Sequence, residues 1–186
     1  MRRFGKQWRH YFRSMISTTK RVLDALGQNG LVVALESTVI SHGLPGPDNI
    51  ETAVECEDVI TAEGATAATI GIVAGVPTIG LSREELRVFA EGQAPDGSSI
   101  EKVSLNNLGI VAACKGWGAT TVAGSIWIAT LGGRAFDGAK RPLVFSATSG
   151  LYRRYHLRHE SAPRRPLSSG RYPIRFAVTE HSMRPD

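Results

Sequence analysis

Residues 32–47 read VVALESTVISHGLPGP, and this stretch decides the fold. Its first four residues, Val32, Val33, Ala34 and Leu35, form a short apolar run with the look of a strand. A carboxylate, three hydroxyls and an imidazole follow at once, on Glu36, Ser37, Thr38, Ser41 and His42. Gly43, Pro45, Gly46 and Pro47 then punctuate a loop. Polar groups at the end of a buried strand are costly unless something needs them there. In open α/β sheets, ligands sit just beyond the carboxyl ends of strands. The segment therefore reads as the edge of an active site.

Outward from it, strands and helices alternate. Upstream, Ser17 or Thr18 caps a first helix through Val22, Leu23 and Leu26, ended by Gly27 or Gly30. Downstream, Asp48 with Glu51 makes a capping box. Ile50, Ala53, Val54, Val59 and Ile60 repeat with helical period as far as Gly64. Two β-rich runs, 69–73 and 77–80, flank Gly75 and predict a hairpin. Ser82 with Glu85 is a second capping box, opening a helix over 83–91. Residues 92–99, GQAPDGSS, form a loop, and 100–104 a short strand. Asn106 or Asn107 starts a helix that ends near Gly116. The turn GWGATT (116–121) leads into VAGSIWIATLGG, an almost wholly apolar segment that predicts a buried helix. The pattern predicts an α/β fold, layered α/β/α with a mixed sheet.

The size suits one domain, since 186 residues can bury a sizeable core. An apolar share of 42% with 20 glycines fits a soluble α/β protein. No run approaches the roughly 18 apolar residues of a spanning helix, so no membrane partner is expected. Cys56 and Cys114 sit within helical patterns, which argues against a disulfide framework and points to a reducing compartment.

The net charge of +5 hides three regions, residues 1–23 at +7, 24–136 at −8 and 137–186 at +6. The centre is an ordinary acidic domain, and the basicity lives in the flanks. Residues 1–16 form a basic extension, part of an acid-free run with Phe4, Trp8, Tyr11, Phe12 and Ile16 at roughly helical spacing. That is the composition of a mitochondrial transit peptide. A plain basic extension, or a start at Met15, is the alternative. The expected location is the cytoplasm or the mitochondrion.

Residues 137–186 change character. Arg pairs stand at 153–154 and 164–165, and prolines at 142, 163, 166, 173 and 185. Beyond a strand-like run at 143–147 no period survives, and a poorly ordered basic tail is expected. Such a tail could bind nucleic acid, but the acidic centre ranks that reading last.

Five segments carry a family resemblance: ALESTVISHGLP (34–45), NIETAVECEDVITAEGATAATIGIVAG (49–75), GLSREEL (80–86), KVS (102–104) and KGWGATTVAGS (115–125). Together they resemble pseudouridine-5′-phosphate glycosidase, also called the indigoidine synthase A-like family. The resemblance places a partial domain over residues 17–136. It implies reversible cleavage of the C–C glycosidic bond of pseudouridine 5′-phosphate to uracil and ribose 5-phosphate. A C–C bond offers no heteroatom leaving group to protonate, so two-carboxylate hydrolysis does not suffice. The family opens the ribose ring through a lysine Schiff base at the anomeric carbon. It uses manganese to order the site and assembles as a trimer.

Carried over residue by residue, Glu36 matches the proton donor. A surface glutamate at a strand end is the plain alternative. Lys102 matches a substrate-contacting lysine that would serve the phosphate or ribose; a solvated strand lysine is its alternative. Val122 matches a position whose backbone touches substrate. The turn before it is also a sensible anion site, since free amides point outward at a helix start. Capping by Thr120 or Thr121 is compatible with that. His42 is a strut or a relay, and no role is assigned. Glu55, Glu57 and Asp58 read as a solvated helix face.

The resemblance stops after residue 136. The family's ATGGIGGVHRG run, its TFDISAD segment with the metal-binding aspartate, and its AGAKS segment with the Schiff-base lysine have no counterpart. Lys140 and Lys115 are the lysines to weigh as a replacement nucleophile; Lys140 in GAK echoes the lost motif, but its spacing from Glu36 and its neighbours are wrong. Asp137 alone makes a poor site for a hard cation that wants about six oxygens, and no residue is assigned to metal. The expectation is a chain truncated relative to the family, with exposed apolar surface on the 122–131 helix and one sheet edge, and without turnover. A non-catalytic fragment that pairs with a full-length protomer is the alternative.

Overall fold

A computed structural model describes residues 15–135 and 143–144. The elements run β1 (Ser17–Thr18), α1 (Lys20–Gly27), β2 (Val32–Leu35), a π-helical turn (Val39–Gly43), α2 (Asp48–Ala62), β3 (Thr66–Val73) and β4 (Val76–Ile79). They continue with α3 (Arg83–Glu91), β5 (Glu101–Val103), α4 (Leu108–Ala113), β6 (Gly118–Thr120), α5 (Val122–Ala135) and β7 (Leu143–Val144). The transit-peptide reading of residues 1–14 and the tail beyond 144 lie outside the described residues.

β3 is the centre of a mixed sheet. It pairs parallel with β2 and antiparallel with β4 and β6; β5 lies parallel to β6, and β7 parallel to β2. Strand alternation sends Ala68, Ile70 and Ile72 into one core with Val22 of α1, Leu108 and Val111 of α4, and Ile128 and Ala129 of α5. The other face meets α2 and α3. There Ile60 packs with Val33, Leu35 and Ala67, and Phe89 with Ile40, Ala53 and Leu86. The α/β/α layering is as expected. The layers touch closely at Gly71, where an added Cβ would stand 2.6 Å from Phe89 Cζ.

Several local expectations hold. β2 has the predicted bounds. The β3–β4 hairpin turns through Ala74 (φ 48°) and Gly75 (φ 84°), two positive angles as a tight hairpin turn requires. In α3, Ser82 Oγ accepts the Glu85 amide at 3.2 Å and Glu85 Oε2 accepts the Ser82 amide at 2.7 Å, so this capping box is real.

Others are corrected. Ser17 and Thr18 cap no helix; they pair with Thr78 and Ile79 as β1, and Thr19 precedes α1. The capping position of α2 is Pro47, which moves Asp48 and Glu51 into the first turn. There they complement the helix dipole instead of forming a box. The turn over 116–121 is in part strand β6, because Gly118 and Ala119 find ladder partners on β3 and β5. α5 is not buried all round. Gly124, Ser125, Ile128 and Ala129 face the core, whereas Ile126 and Trp127 are 45% and 44% exposed. Among the described residues nothing covers that outer face, in line with the exposure expected for this helix. No described helix is long and apolar enough to cross a membrane.

Candidate active site

Three strand ends converge. β2 runs parallel to β3 and stops with Leu35 opposite Thr69. β6 runs antiparallel to β3, with Ala119 opposite Gly71. The carboxyl ends of β2 and β6 therefore meet head-on along β3, at Ile70. β5 is parallel to β6, with Val103 beside Thr120, so its carboxyl end opens at the same place. Convergent strand ends are where α/β folds bind ligands.

Hydroxyls knit the junction. The Ser37 amide donates to the Thr120 carbonyl at 3.2 Å, and Ser37 Oγ accepts the Thr120 amide at 2.9 Å. Ser37 Oγ and Thr120 Oγ1 both donate to the Ile70 carbonyl at 2.7 Å. Ser125 Oγ, in the first turn of α5, stands 2.8 Å from Thr120 Oγ1. Thr38 Oγ1 donates to the Ala119 carbonyl at 3.3 Å, and Ser41 Oγ to the Phe89 carbonyl at 2.8 Å. The hydroxyls of the ESTVIS motif thus hold the fold together. Asn49, on the next helix, completes the brace by donating to the Ile40 and Ala90 carbonyls.

Glu36 is different. It is only 6% exposed, yet its carboxylate makes no hydrogen bond or ion pair with any described residue. Its oxygens nevertheless keep contact with solvent, so the carboxylate faces an opening at the junction. By contrast Glu57, expected on a solvated face, is buried at 2% exposure and well partnered. Thr69 Oγ1 donates to Glu57 Oε1 at 2.7 Å, and Arg21 and Arg83 approach Oε2 at 3.8 and 3.9 Å. The reason is spacing, since Asn49, Ala53, Glu57 and Ile60 share the inner stripe of α2. Asp58 pairs with Arg83 at 2.9 Å and stays outside, as expected.

Val122 begins α5 directly after the junction. The Ser125 amide closes the first helical bond onto the Thr121 carbonyl. This leaves the amides of Val122, Ala123 and Gly124 without an intrahelical acceptor. Thr121 Oγ1 is buried there and unpartnered. Glu36 and Val122 therefore flank one junction. Lys102 lies one residue before the end of β5, beside Ala119 and on the opposite sheet face from Val103; it is exposed. His42 is exposed at the end of the π-helical turn. Sequence reading had no sign of the Thr120–Ser125 pairing. Its signal, small hydroxyl residues astride a strand–helix joint, resembles ordinary capping. Among the described residues no three His, Cys, Asp or Glu side chains come together as a metal site, so the donors present do not fit manganese. Lys140 and Asp137 lie outside the described residues.

Residues 21–136 match the family model described as indigoidine synthase A like protein. The chain is 45% identical over 121 residues to a pseudouridine-5′-phosphate glycosidase of Arabidopsis thaliana, covering 65% of this chain and 36% of that relative. A protein of the same name from Escherichia coli K12 is 44% identical over 119 residues, covering 64% and 37%. The chain thus spans little more than a third of the length of these curated relatives. A crystal structure of a prealnumycin C-glycosynthase in complex with ribulose 5-phosphate superposes with a TM-score of 0.53 at 36% identity, over 62% of this chain and 35% of that one. An indigoidine synthase A-like protein of Thermotoga maritima gives 0.52 at 28% identity, over 62% and 36%. The chain belongs to the indigoidine synthase A-like family.

Proposed function

We propose that the junction of β2, β5 and β6 is the acid and sugar-phosphate side of a pseudouridine-5′-phosphate glycosidase site, and that this chain binds that ligand without turning it over. The carboxylate of Glu36, on a buried residue and held by no hydrogen bond or ion pair among the described residues, carries the reading. Glu36 is the proton donor to the ribose ring oxygen. A carboxyl group at a strand end that no described residue holds is free to meet a ligand. The amides that open α5, with Val122 first, receive the anionic end of the substrate, and Lys102 supplies a cation from β5. The neighbour that carries ribulose 5-phosphate supports a phosphorylated pentose as the ligand class.

Cleavage of the C–C bond needs an amine to take the anomeric carbon, and no segment of this sequence resembles the family's AGAKS lysine. Manganese has no donor set among the described residues, and no step is routed through it. The test is incubation of the purified chain with pseudouridine 5′-phosphate and manganese. The expected outcome is saturable binding by calorimetry and no uracil above the protein-free control. Uracil release would refute the absence of turnover; absence of binding would refute the site.

A second reading, pairing with a full-length protomer, is favoured by the exposed Ile126 and Trp127 on α5. Sedimentation of the chain mixed with a full-length relative tests it, with Trp127→Glu expected to abolish any shared species. Residues 1–16 support mitochondrial import; a fluorescent fusion of those residues that stays in the cytosol would dismiss this.

A further inference from the structure

Three fully or almost fully buried hydroxyls meet at the junction, the first of them on the residue after Glu36. Ser37 and Thr120 are 0% exposed and Ser125 1%. Each hydroxyl has one proton to give. Thr120 Oγ1 spends its proton on the Ile70 carbonyl, so Ser125 Oγ is the donor of the 2.8 Å bond between them. Ser37 Oγ gives its own proton to the same carbonyl and takes the Thr120 amide. The proton order is therefore fixed, from Ser125 to Thr120 to Ile70 and from Ser37 to Ile70.

As a stability device this is an odd choice. Replacing all partners of a buried polar cluster by apolar groups of similar shape is close to neutral. What the hydroxyls supply is direction. At Ile70 the ladder is interrupted, because β2 and β6 end there from opposite sides. The two side-chain bonds to the Ile70 carbonyl hold both chains where they leave the sheet. One exit carries Glu36 immediately before Ser37. The other carries Thr121 and Val122 immediately after Thr120. Ser125 ties the first turn of α5 to the same point.

We propose that Ser37, Thr120 and Ser125 form a positioning node that fixes the Glu36 carboxylate relative to the opening amides of α5, and so sets the geometry in which a phosphorylated pentose is held. This rests on the function proposed above for that junction. None of the three touches the ligand; they act through Glu36 and through the helix start.

The test compares Thr120→Val, which keeps the shape and removes the hydroxyl, with Thr120→Ser, which keeps the hydroxyl. Thr69→Val is the stability control. It breaks the buried bond from Thr69 to Glu57 on the far side of the sheet. Affinity for ribose 5-phosphate is measured by calorimetry at a temperature where all variants are folded. Thr120→Val is expected to weaken binding on the order of tenfold, as misplacement of a binding group does. Thr120→Ser and Thr69→Val are expected to stay near wild type. Unchanged binding in Thr120→Val, or an equal loss in Thr69→Val, overturns the node. Should wild type itself fail to bind, the proposed function falls. The node is then judged on the ligand-free protein by the carbon-13 carboxyl signal of Glu36. A shift in Thr120→Val but not in Thr69→Val or Thr120→Ser supports it, and no shift overturns it.

Discussion

Ser37 Oγ accepts the amide of Thr120 at 2.9 Å, joining the end of β2 to the end of β6 across 83 residues of sequence. Each partner borders a functional element, since Glu36 directly precedes Ser37 and Val122 follows Thr120 by two residues. Glu36 stands on one side of the joint and Val122 on the other. Chain direction is what the joint controls, and with it the places where Glu36 and Val122 leave the sheet.

Ser82→Ala removes the acceptor of the Glu85 amide and leaves the Glu85 carboxylate with half of its capping box. Loss of such a cap costs about 1 kcal/mol. Urea unfolding should show a lower midpoint with an unchanged slope, and ligand affinity should not move, since the cap stands at the opposite end of α3 from the Phe89 and Ala90 carbonyls that receive Ser41 and Asn49.

Gly71→Ala places a Cβ against the Phe89 ring, 2.6 Å from Cζ. Overpacking of this kind costs about 1–3 kcal/mol. Combined with Phe89→Leu, the loss should be smaller than the sum of the single losses, because the two positions share one contact. A double-mutant cycle by chemical unfolding reads this directly.

Glu57→Ala leaves Thr69 Oγ1 buried without its acceptor and Arg21 and Arg83 without a shared carboxylate. Both arginines are substantially exposed and can turn to water, so the buried hydrogen bond sets the scale, at about 2 kcal/mol. Thermal unfolding should show the loss.

Asp96 is held below the ordinary aspartate value of 3.8 because the Ser98 hydroxyl and then the Ser98 amide donate to its carboxylate. Hydrogen bonds to the charged form favour it. A depressed pKa in the folded state means that this contribution to the loop is present above the ordinary value and is lost as pH falls through the folded one. An NMR titration should find Asp96 below 3.8, and Ser98→Ala should move it upward.

Much of the scaffold was legible from local chemistry. The apolar run of β2, the turn at Gly75 and the capping box at Ser82 carry their own instructions within a few residues. β1 did not, because a two-residue strand exists only through its partner Thr78 and Ile79. Asp48 read as a cap because its side chain suits one, but Pro47 already occupies that position. Glu57 read as solvated from its charged neighbours, though its four-residue spacing from Ala53 marks the inner stripe. The junction itself was legible only in half. Glu36 stood out at a strand end, but the opposing end of β6 depends on a pairing far away in the chain. For the same reason Ser37 and Thr120 looked like site residues or caps and are instead its frame.

The most direct test of the central claim is thermal unfolding of Glu36→Gln beside wild type, with and without pseudouridine 5′-phosphate. A carboxylate that no described residue holds contributes little to the fold. Its neutral isostere should therefore unfold close to wild type, within about 0.5 kcal/mol. Ligand that binds the folded state raises the midpoint of wild type, and that rise should be lost in Glu36→Gln. A variant that unfolds earlier than wild type while keeping the full ligand-induced rise would contradict the account.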